Sequence, residues 1–167
     1  ATAGSQLLPV PSILADASPN SKLNIAGIGV GGRGGAHVGS ALKENLVAAC
    51  DASQGPLDGC MRRAEKHYKD QGVDRPLPQT FSDYREMFDK HANQLDAVVI
   101  STPDHSHFHP AYAAMQLDLH VYLEKPLAHN VWETRTLTDL ARKKKLATQL
   151  GAQRHAMDNM HRVVELI

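Results

Sequence analysis

The sequence of 167 residues balances 18 Lys and Arg against 18 Asp and Glu, so its formal net charge is zero with neutral histidines. This balance argues against a general nucleic-acid binder, which needs a basic surface to displace counterions, and against an acidic disordered tail. Hydrophobic residues make up 42% of the chain, two cysteines are too few for a disulfide scaffold, and no stretch approaches the ~18 apolar residues of a membrane span.

Residues 1–21 differ from the rest of the chain and are excluded from the predicted fold. They are rich in Ala, Ser, Leu and Pro and contain one charged residue, Asp16. Residues 15–17 have the A-x-A form of a signal-peptidase site and follow several apolar residues, although a basic n-region is missing. We therefore expect the rear half of an export signal and a periplasmic or exported protein. A flexible leader on a cytoplasmic protein is the alternative.

From residue 22 onward, short apolar runs alternate with helical patterns. Strands are predicted at residues 23–28, 46–50, 80–81, 97–100, 120–123 and 146–150. Helices are predicted at residues 36–43, 56–68, 83–90, 111–116 and 131–145, with Ser82 expected to cap the third. Alternation of apolar strands with helices predicts a doubly wound α/β domain, in which a parallel sheet is covered by helices on both faces.

A glycine cluster follows the first predicted strand. The pattern G-x-G-x-x-G occurs in two registers, Gly27/Gly29/Gly32 and Gly29/Gly31/Gly34. We prefer the second register because it starts where the strand ends. In this motif the first glycine makes a tight turn, the second lets the backbone approach a pyrophosphate, and the third lets helix and strand pack closely. The following helix offers free N–H groups and its positive dipole end to the phosphates.

Asp51 lies 20 residues beyond Gly31, at the end of the second predicted strand, where it can accept hydrogen bonds from an adenosine ribose. Ala52 and Ser53 follow it, and no Arg or Lys is adjacent. A 2′-phosphate would meet a carboxylate there, so the sequence favours NAD, with NADP as the alternative. An S-adenosylmethionine site, or a glycine-rich turn beside a solvent-facing Asp, would use the same residues.

Polar groups also follow the later predicted strands. Residues 101–107 (Ser-Thr-Pro-Asp-His-Ser-His) follow the fourth strand, residues 124–126 (Glu-Lys-Pro) the fifth and residues 151–155 (Gly-Ala-Gln-Arg-His) the sixth. Ligands of doubly wound sheets bind at this carboxyl edge. Lys125 precedes a proline and is expected to be extended. Its ammonium could hold ribose hydroxyls and a substrate oxygen, and partial desolvation would lower its pKa toward proton transfer.

Five segments resemble the Gfo/Idh/MocA oxidoreductases, a family that includes glucose–fructose oxidoreductase and inositol dehydrogenase. The segments are residues 28–34, Cys50-Asp51, Asp83-Tyr84, residues 101–105 and residues 124–126. The resemblance covers residues 22–167, and the Glu-Lys-Pro tripeptide after a Thr-Pro loop at this spacing is its most specific element. It counts heavily against the methyltransferase interpretation.

The resemblance implies a nicotinamide-binding Rossmann domain followed by an α+β substrate domain, and hydride transfer between nicotinamide and a carbon of a sugar or polyol. It implies that Lys125 orients the nicotinamide ribose and the substrate and aids proton transfer. The expected catalytic residues are Lys125 and His105. The expected cofactor-binding residues are Gly29, Gly31, Gly32, Arg33, Gly34, Asp51, Ser101, Thr102, Pro103, His105, Glu124, Lys125, Pro126 and Gln153. Arg33 either reaches a phosphate or points to water, and Gln153 either approaches the nicotinamide or belongs to an ordinary loop.

In this family the Asp and His of the proton relay lie in the second domain, which residues 1–167 do not contain. We therefore expect the chain to bind NAD with little or no turnover by itself. Substrate specificity and the surface of a homo-oligomer are expected in the second domain. An apolar stripe at residues 157, 160, 163, 164 and 167 predicts a helix with no terminator, which also indicates that more protein follows. Similar proteins often carry a twin-arginine export signal, in agreement with the leader.

The alternating histidines His105, His107 and His109 would share one face of a strand, as metal ligands can. Pro103 and Pro110 bracket them, so we expect a turn into a helix and no metal site.

Three functional classes remain open from the sequence. The first is an NAD-dependent dehydrogenase or reductase acting on a sugar-like alcohol. The second is a glycosidase of the same family that cycles a bound NAD between its two redox states while cleaving a glycosidic bond. The third is a nucleotide-binding module without catalysis.

Overall fold

The computed structural model describes residues 22–153. Its strands are β1 (Asn24–Ile28), β2 (Asn45–Cys50), β3 (Gln79–Phe81), β4 (Ala97–Ile100), β5 (His120–Glu124) and β6 (Thr148–Gly151). Its α-helices are α1 (Gly32–Ala41), α2 (Gln54–Gln71), α3 (Tyr84–His91), α4 (Phe108–Gln116) and α5 (Val131–Lys144). The predicted leader and the C-terminal apolar stripe lie outside the described residues.

The strands form one parallel sheet in the order β3-β2-β1-β4-β5-β6. The chain moves outward in one direction from β1 to β3, then returns to the centre and continues in the other direction from β4 to β6. This order confirms the doubly wound prediction. Ligands of such sheets bind in the crevice at the carboxyl ends of the strands, where the order reverses between β1 and β4. Among the described residues, no helix combines the length and apolar character needed to cross a bilayer.

Several predicted boundaries shift. Helix α1 starts at Gly32, four residues before the predicted start, because its first turns are built from glycines that helix propensity disfavours. The predicted Ser82 cap of α3 is wrong: Asp83 is the N-cap, and its carboxylate accepts the Arg85 N–H at 2.9 Å. Helix α2 continues to a left-handed Gly72 (φ 62°), as is common at helix C-termini.

Apolar side chains form one core on each face of the sheet. Helices α3, α4 and α5 cover one face, with Met87, Phe108 and Leu137 among the buried contacts. Helices α1 and α2 cover the other face, with Val38 and Leu57 among the contacts. The free thiols of Cys50 and Cys60 are buried, one in each core. Burial, with the nearby carboxylates of Asp83 and Asp51, raises the pKa of Cys50 to about 12.

Candidate functional site

The glycine loop connects β1 to α1 at the reversal point of the sheet. Gly29 has φ 77°, and a Cβ built on it would lie 2.7 Å from the Ser101 carbonyl at the end of β4. A Cβ on Gly34 would lie 1.8 Å from the carbonyl oxygen of Gly29, so the first turn of α1 packs directly on the loop. These two close contacts favour the register Gly29/Gly31/Gly34, because the first and third glycines of the motif are those at which a Cβ would clash with backbone.

The N-terminus of α1 opens toward the carboxyl edge of the sheet. Gly31 is the N-cap, no side chain caps the helix, and no acidic residue lies in its first turn. The first N–H groups of a helix have no partner within the helix and attract anions. Arg33 adds a positive charge to the same turn. This geometry suits the diphosphate of a dinucleotide.

Asp51 follows β2 and faces the glycine loop. Its Oδ2 accepts the N–H groups of Val30 at 3.0 Å and Gly31 at 3.3 Å, and its Oδ1 accepts the Ser53 N–H at 3.0 Å. A carboxylate offers about four acceptor positions, so Oδ1 retains capacity for a ligand hydroxyl. Asp51 therefore orders the loop and keeps an acceptor position available at the cavity that it lines.

A cavity of about 960 Å³ extends along the carboxyl ends of β1 to β4. The predicted cofactor-binding residues that line it are Gly29, Gly31, Gly32, Arg33, Asp51, Ser101, Thr102 and Pro103. The predicted residues Gly34, His105, Glu124, Lys125, Pro126 and Gln153 are not among its lining residues. The structure thus brings the glycine loop, Asp51 and the Thr-Pro loop together around one cavity.

Four further lining residues follow β3 and were not among the predicted cofactor-binding residues, namely Ser82, Asp83, Tyr84 and Arg85. The Asp51 N–H donates to the Phe81 carbonyl at 3.1 Å, which places the ends of β2 and β3 side by side. The strand order contained the signal, because the third strand of such a sheet ends at the same edge as the other strands.

The hydroxyl oxygens of Ser101 and Thr102 are buried and have no hydrogen-bond partner among the described residues. Buried polar atoms are rarely left unpaired in proteins, and both residues line the cavity. A ligand rich in hydroxyl and phosphate oxygens would pair them. Together with the contacts that leave no space for a Cβ at Gly29 and Gly34, this observation shows that the site fits NAD.

Glu124, the last residue of β5, bonds to side chains on α1 and to one that follows β6. Its Oε1 accepts hydrogen bonds from Arg33 Nε at 3.2 Å and Gln153 Nε2 at 2.5 Å, and lies 2.6 Å from His37 Nε2. Burial alone would raise the pKa of Glu124, but the hydrogen bonds from His37, Gln153 and Arg33 outweigh it and hold the pKa below its ordinary value. Arg33 therefore extends from the glycine loop toward a buried, ionised carboxylate.

Lys125 and His105 are exposed within residues 22–153. The partial desolvation considered for Lys125 is therefore not provided by the described residues. His105 lies on a short 3-10 turn, Asp104–Ser106, which leads into α4. This arrangement confirms the predicted turn into a helix. Within the described part of the chain, no group of three His, Cys, Asp or Glu side chains could hold a metal ion.

His107 connects the Thr-Pro loop to the Glu-Lys-Pro loop. The residue is 1% exposed, and its Nε2 lies 2.8 Å from the Thr102 carbonyl oxygen while its Nδ1 lies 2.5 Å from the Pro126 carbonyl oxygen. Sequence reasoning considered His107 only as a metal ligand. Its position between two loops shows instead that it holds Thr102 and the segment after Lys125 in a fixed relation.

Residues 23–152 match the Gfo/Idh/MocA family, described as an oxidoreductase family with an NAD-binding Rossmann fold. Glycosyl hydrolase family 109 protein 1 of Shewanella sp. (strain MR-4) is 35% identical over 136 residues, which are 78% of this chain and 28% of that protein. The alpha-N-acetylgalactosaminidase of Shewanella oneidensis is 35% identical over 119 residues, 68% of this chain and 25% of that protein. The chain thus spans about a quarter of the length of these curated relatives.

Among solved structures, the fold is similar to scyllo-inositol dehydrogenase from Lactobacillus casei with bound NAD(H) and scyllo-inositol. The TM-score is 0.66 at 25% identity, and the match covers 87% of this chain and 40% of that one. NAD is accordingly the cofactor that the site is built to bind. With the family match over residues 23–152, the glycine register and the cavity at the strand ends, the chain belongs to the Gfo/Idh/MocA family of NAD-binding oxidoreductases.

Proposed function

We propose that the protein of which this chain forms the nucleotide-binding part transfers a hydride between nicotinamide and a sugar- or polyol-like alcohol. The observation that carries the proposal is the cavity at the carboxyl ends of β1 to β4, where the glycine loop, Asp51 and the unpaired hydroxyls of Ser101 and Thr102 meet. The similarity to a scyllo-inositol dehydrogenase, a polyol enzyme, supports this substrate class.

The glycine loop and the N-terminus of α1 would hold the diphosphate of NAD, and Asp51 would accept hydrogen bonds from its adenosine ribose. Bound NAD supplies the hydride acceptor. Lys125 and His105 stand at the same edge of the sheet, after β5 and β4, where the nicotinamide end of an extended dinucleotide would reach. In the proposed function the Lys125 ammonium orients the substrate hydroxyl and aids transfer of its proton to a general base of the second domain, and His105 contacts the cofactor or the substrate.

A glycosidase that uses NAD catalytically is the second candidate. The specific observation in its favour is the 35% identity to two proteins whose names describe glycoside hydrolysis, one of them an alpha-N-acetylgalactosaminidase. The two candidates share the cofactor site and the hydride step. They differ in whether the hydride leaves with NADH or returns to the sugar after the glycosidic bond is cleaved.

The full-length protein distinguishes the two candidates. Incubation with inositols and free sugars at excess NAD should accumulate NADH if the protein is a dehydrogenase. Release of nitrophenol from nitrophenyl α-N-acetylgalactosaminide at substoichiometric NAD, without net NADH, would support the glycosidase instead. A full-length protein that binds NAD and shows neither reaction on a broad sugar panel would contradict both candidates.

Lys125→Ala tests the catalytic assignment in the same protein. We expect kcat to fall by ~100-fold or more, as for loss of a general acid–base group, while the dissociation constant for NAD changes by less than ~3-fold. Lys143→Ala is the matched control, because Lys143 is an exposed lysine on α5 that does not line the cavity. An unchanged kcat in the Lys125 variant would remove this residue from the mechanism.

We also propose that the protein is exported and forms a homo-oligomer. N-terminal sequencing of the native protein tests export, since export predicts a start after Ala17. Sedimentation of the full-length protein tests the oligomer.

A further inference from the structure

The rim formed by the ends of β2 and β3 carries two carboxylates and one guanidinium. Asp51 follows β2, while Asp83 and Arg85 follow β3, and all three line the cavity. The hydrogen bond from the Asp51 N–H to the Phe81 carbonyl, at 3.1 Å, fixes the two strand ends next to each other. This rim is the adenosine end of the cavity in the proposed function, and its role in cofactor choice rests on that proposed function.

Asp83 holds the guanidinium of Arg85 in a fork. Arg85 Nε lies 2.9 Å and 3.0 Å from the two carboxylate oxygens of Asp83, and Arg85 Nη2 lies 2.5 Å from Oδ2. Asp83 also caps α3 through the Arg85 N–H. These hydrogen bonds, with the positive charge of Arg85, lower the pKa of Asp83 to about 2. The carboxylate is therefore ionised at neutral pH. One donor edge of the guanidinium, formed by Nε and Nη2, faces it.

An arginine fork is also the group that best recognises a phosphate, because its parallel N–H donors match two phosphate oxygens. A 2′-phosphate on a ribose held by Asp51 would enter a rim with two negative charges and one positive charge. Arg85, which carries the positive charge, already donates hydrogen bonds to Asp83. Asp83 occupies the Nε and Nη2 donors of Arg85 and offsets its positive charge, so a 2′-phosphate would meet only the Nη1 side of the guanidinium, beside a carboxylate.

We propose that Asp83 is a specificity-determining residue, which favours NAD over NADP by occupying the Nε–Nη2 edge of Arg85 and offsetting its positive charge. Arg85 is then a 2′-phosphate ligand that becomes available when Asp83 is neutralised. Asp51 disfavours the 2′-phosphate directly, whereas Asp83 acts through Arg85. The two acids therefore make separable contributions to cofactor choice.

The test measures dissociation constants for NAD and NADP by calorimetry in the wild type, Asp83→Asn, Arg85→Ala and the double variant. Asparagine caps helices as well as aspartate does, so Asp83→Asn keeps α3 intact, which circular dichroism checks. We expect Asp83→Asn to bind NADP ~10-fold more tightly, the size of one charge-assisted hydrogen bond, with a much smaller change for NAD. The double variant should lose this gain.

Asp139→Asn is the matched control. Asp139 pairs with Arg142 at 3.9 Å on α5, is exposed, and does not line the cavity, so the same isosteric change there should leave both affinities unaltered. Unchanged NADP binding in Asp83→Asn, or a gain that persists without Arg85, would overturn the inference while leaving NAD binding by the wild type intact. A wild type that binds neither dinucleotide would instead refute the proposed cofactor site as well.

Discussion

The two halves of the sheet rim differ in how far the described residues complete them. At the half proposed to hold the diphosphate and adenosine, called here the adenosine half, the glycine loop, Asp51 and the ends of β2 and β3 line a cavity of about 960 Å³. At the half proposed to hold the nicotinamide, called the nicotinamide half, Lys125 and His105 are exposed, and Glu124 bonds to Arg33, His37 and Gln153. Cofactor binding is thus built into residues 22–153, whereas the groups expected to react are not enclosed by them.

This difference has a physical cause. Holding a dinucleotide diphosphate requires mainly backbone N–H groups and close approach, which a glycine turn and one helix N-terminus provide locally. Proton transfer to a substrate requires side chains in a site that excludes water. The comparison predicts that substitutions in the adenosine half change cofactor affinity or the stability of the fold. It also predicts that the loops of the nicotinamide half are held in position by a few hydrogen bonds, those of His107 and Glu124.

The largest expected effect is on the fold at the glycine loop. In Gly34→Ala the added Cβ would lie 1.8 Å from the carbonyl oxygen of Gly29 if the backbone stayed in place. Helix α1 and the glycine loop must therefore move apart. We expect the free energy of unfolding to fall by about 3 kcal/mol, measured by urea denaturation. Gly39→Ala in the same helix has no atom within 4 Å of the added Cβ and should increase the free energy of unfolding by about 1 kcal/mol. Equal stability of the two variants would show that the close packing is not required.

The next prediction concerns His107, which connects the Thr-Pro loop to the Glu-Lys-Pro loop. His107→Leu leaves the Thr102 and Pro126 carbonyls without their ring partner, at a cost of about 2 kcal/mol in unfolding free energy. Because Thr102 lines the cavity, NAD affinity should also fall several-fold. His91→Leu is the control, since His91 is also buried but bonds to Gln79, outside this cavity. A loss of NAD affinity in both variants would indicate a general effect of the fold.

Cofactor affinity itself is most sensitive at Asp51. Asp51→Asn removes the charge and one acceptor oxygen, so we expect the dissociation constant for NAD to rise by ~10-fold, as for loss of a hydrogen bond to a charged group. Asp58→Asn is a matched control on α2, where Asp58 is exposed and accepts a hydrogen bond from Gln54 at 2.8 Å. The comparison of the two halves fails if Asp51→Asn binds NAD as tightly as the wild type.

The smallest effect is the pH dependence contributed by Glu124. Its folded-state pKa is depressed below the ordinary 4.5, so its stabilisation is fully present above pH 4.5 and is lost as the pH falls through the lower folded-state value. Glu124→Gln should lack this pH-dependent part of the unfolding free energy. Between neutral and acidic pH, the wild type should therefore lose up to about 1 kcal/mol more than the variant. Denaturation at a series of pH values below neutrality checks the sign, and a wild type that gains stability on acidification relative to the variant would refute it.

Local patterns made the fold and the glycine register predictable. The strands are apolar runs bounded by turn residues, and the motif that contains Gly29 and Gly34 spans six residues, so its packing is encoded in adjacent positions. The start of α1 was harder to predict, because glycine at the first turn disfavours a helix by propensity and is required there by contact with β1 and β4.

The partners of Glu124 could not be predicted from local sequence. They lie 91, 87 and 29 residues away, on α1 and just after β6. The tripeptide pattern predicts a set of cofactor contacts, yet successive residues of a strand point to opposite faces, so Glu124 and Lys125 need not share a role. The position of His107 was unpredictable for a related reason, since its two carbonyl partners come from loops that only the tertiary fold brings together.

One buried thiol lies in each core, so chemical labelling of the two cysteines probes the two sides of the sheet separately. Cys50, at the end of β2, packs in one core and lines the cavity, whereas Cys60, on α2, packs in the other core, and burial raises the pKa of both thiols. A thiol reagent can modify Cys60 only when α2 moves away from the sheet, whereas it can approach Cys50 from the side of the cavity. The rate of labelling at Cys60 therefore records how often α2 leaves the sheet, and a bound dinucleotide should slow labelling at Cys50 more than at Cys60.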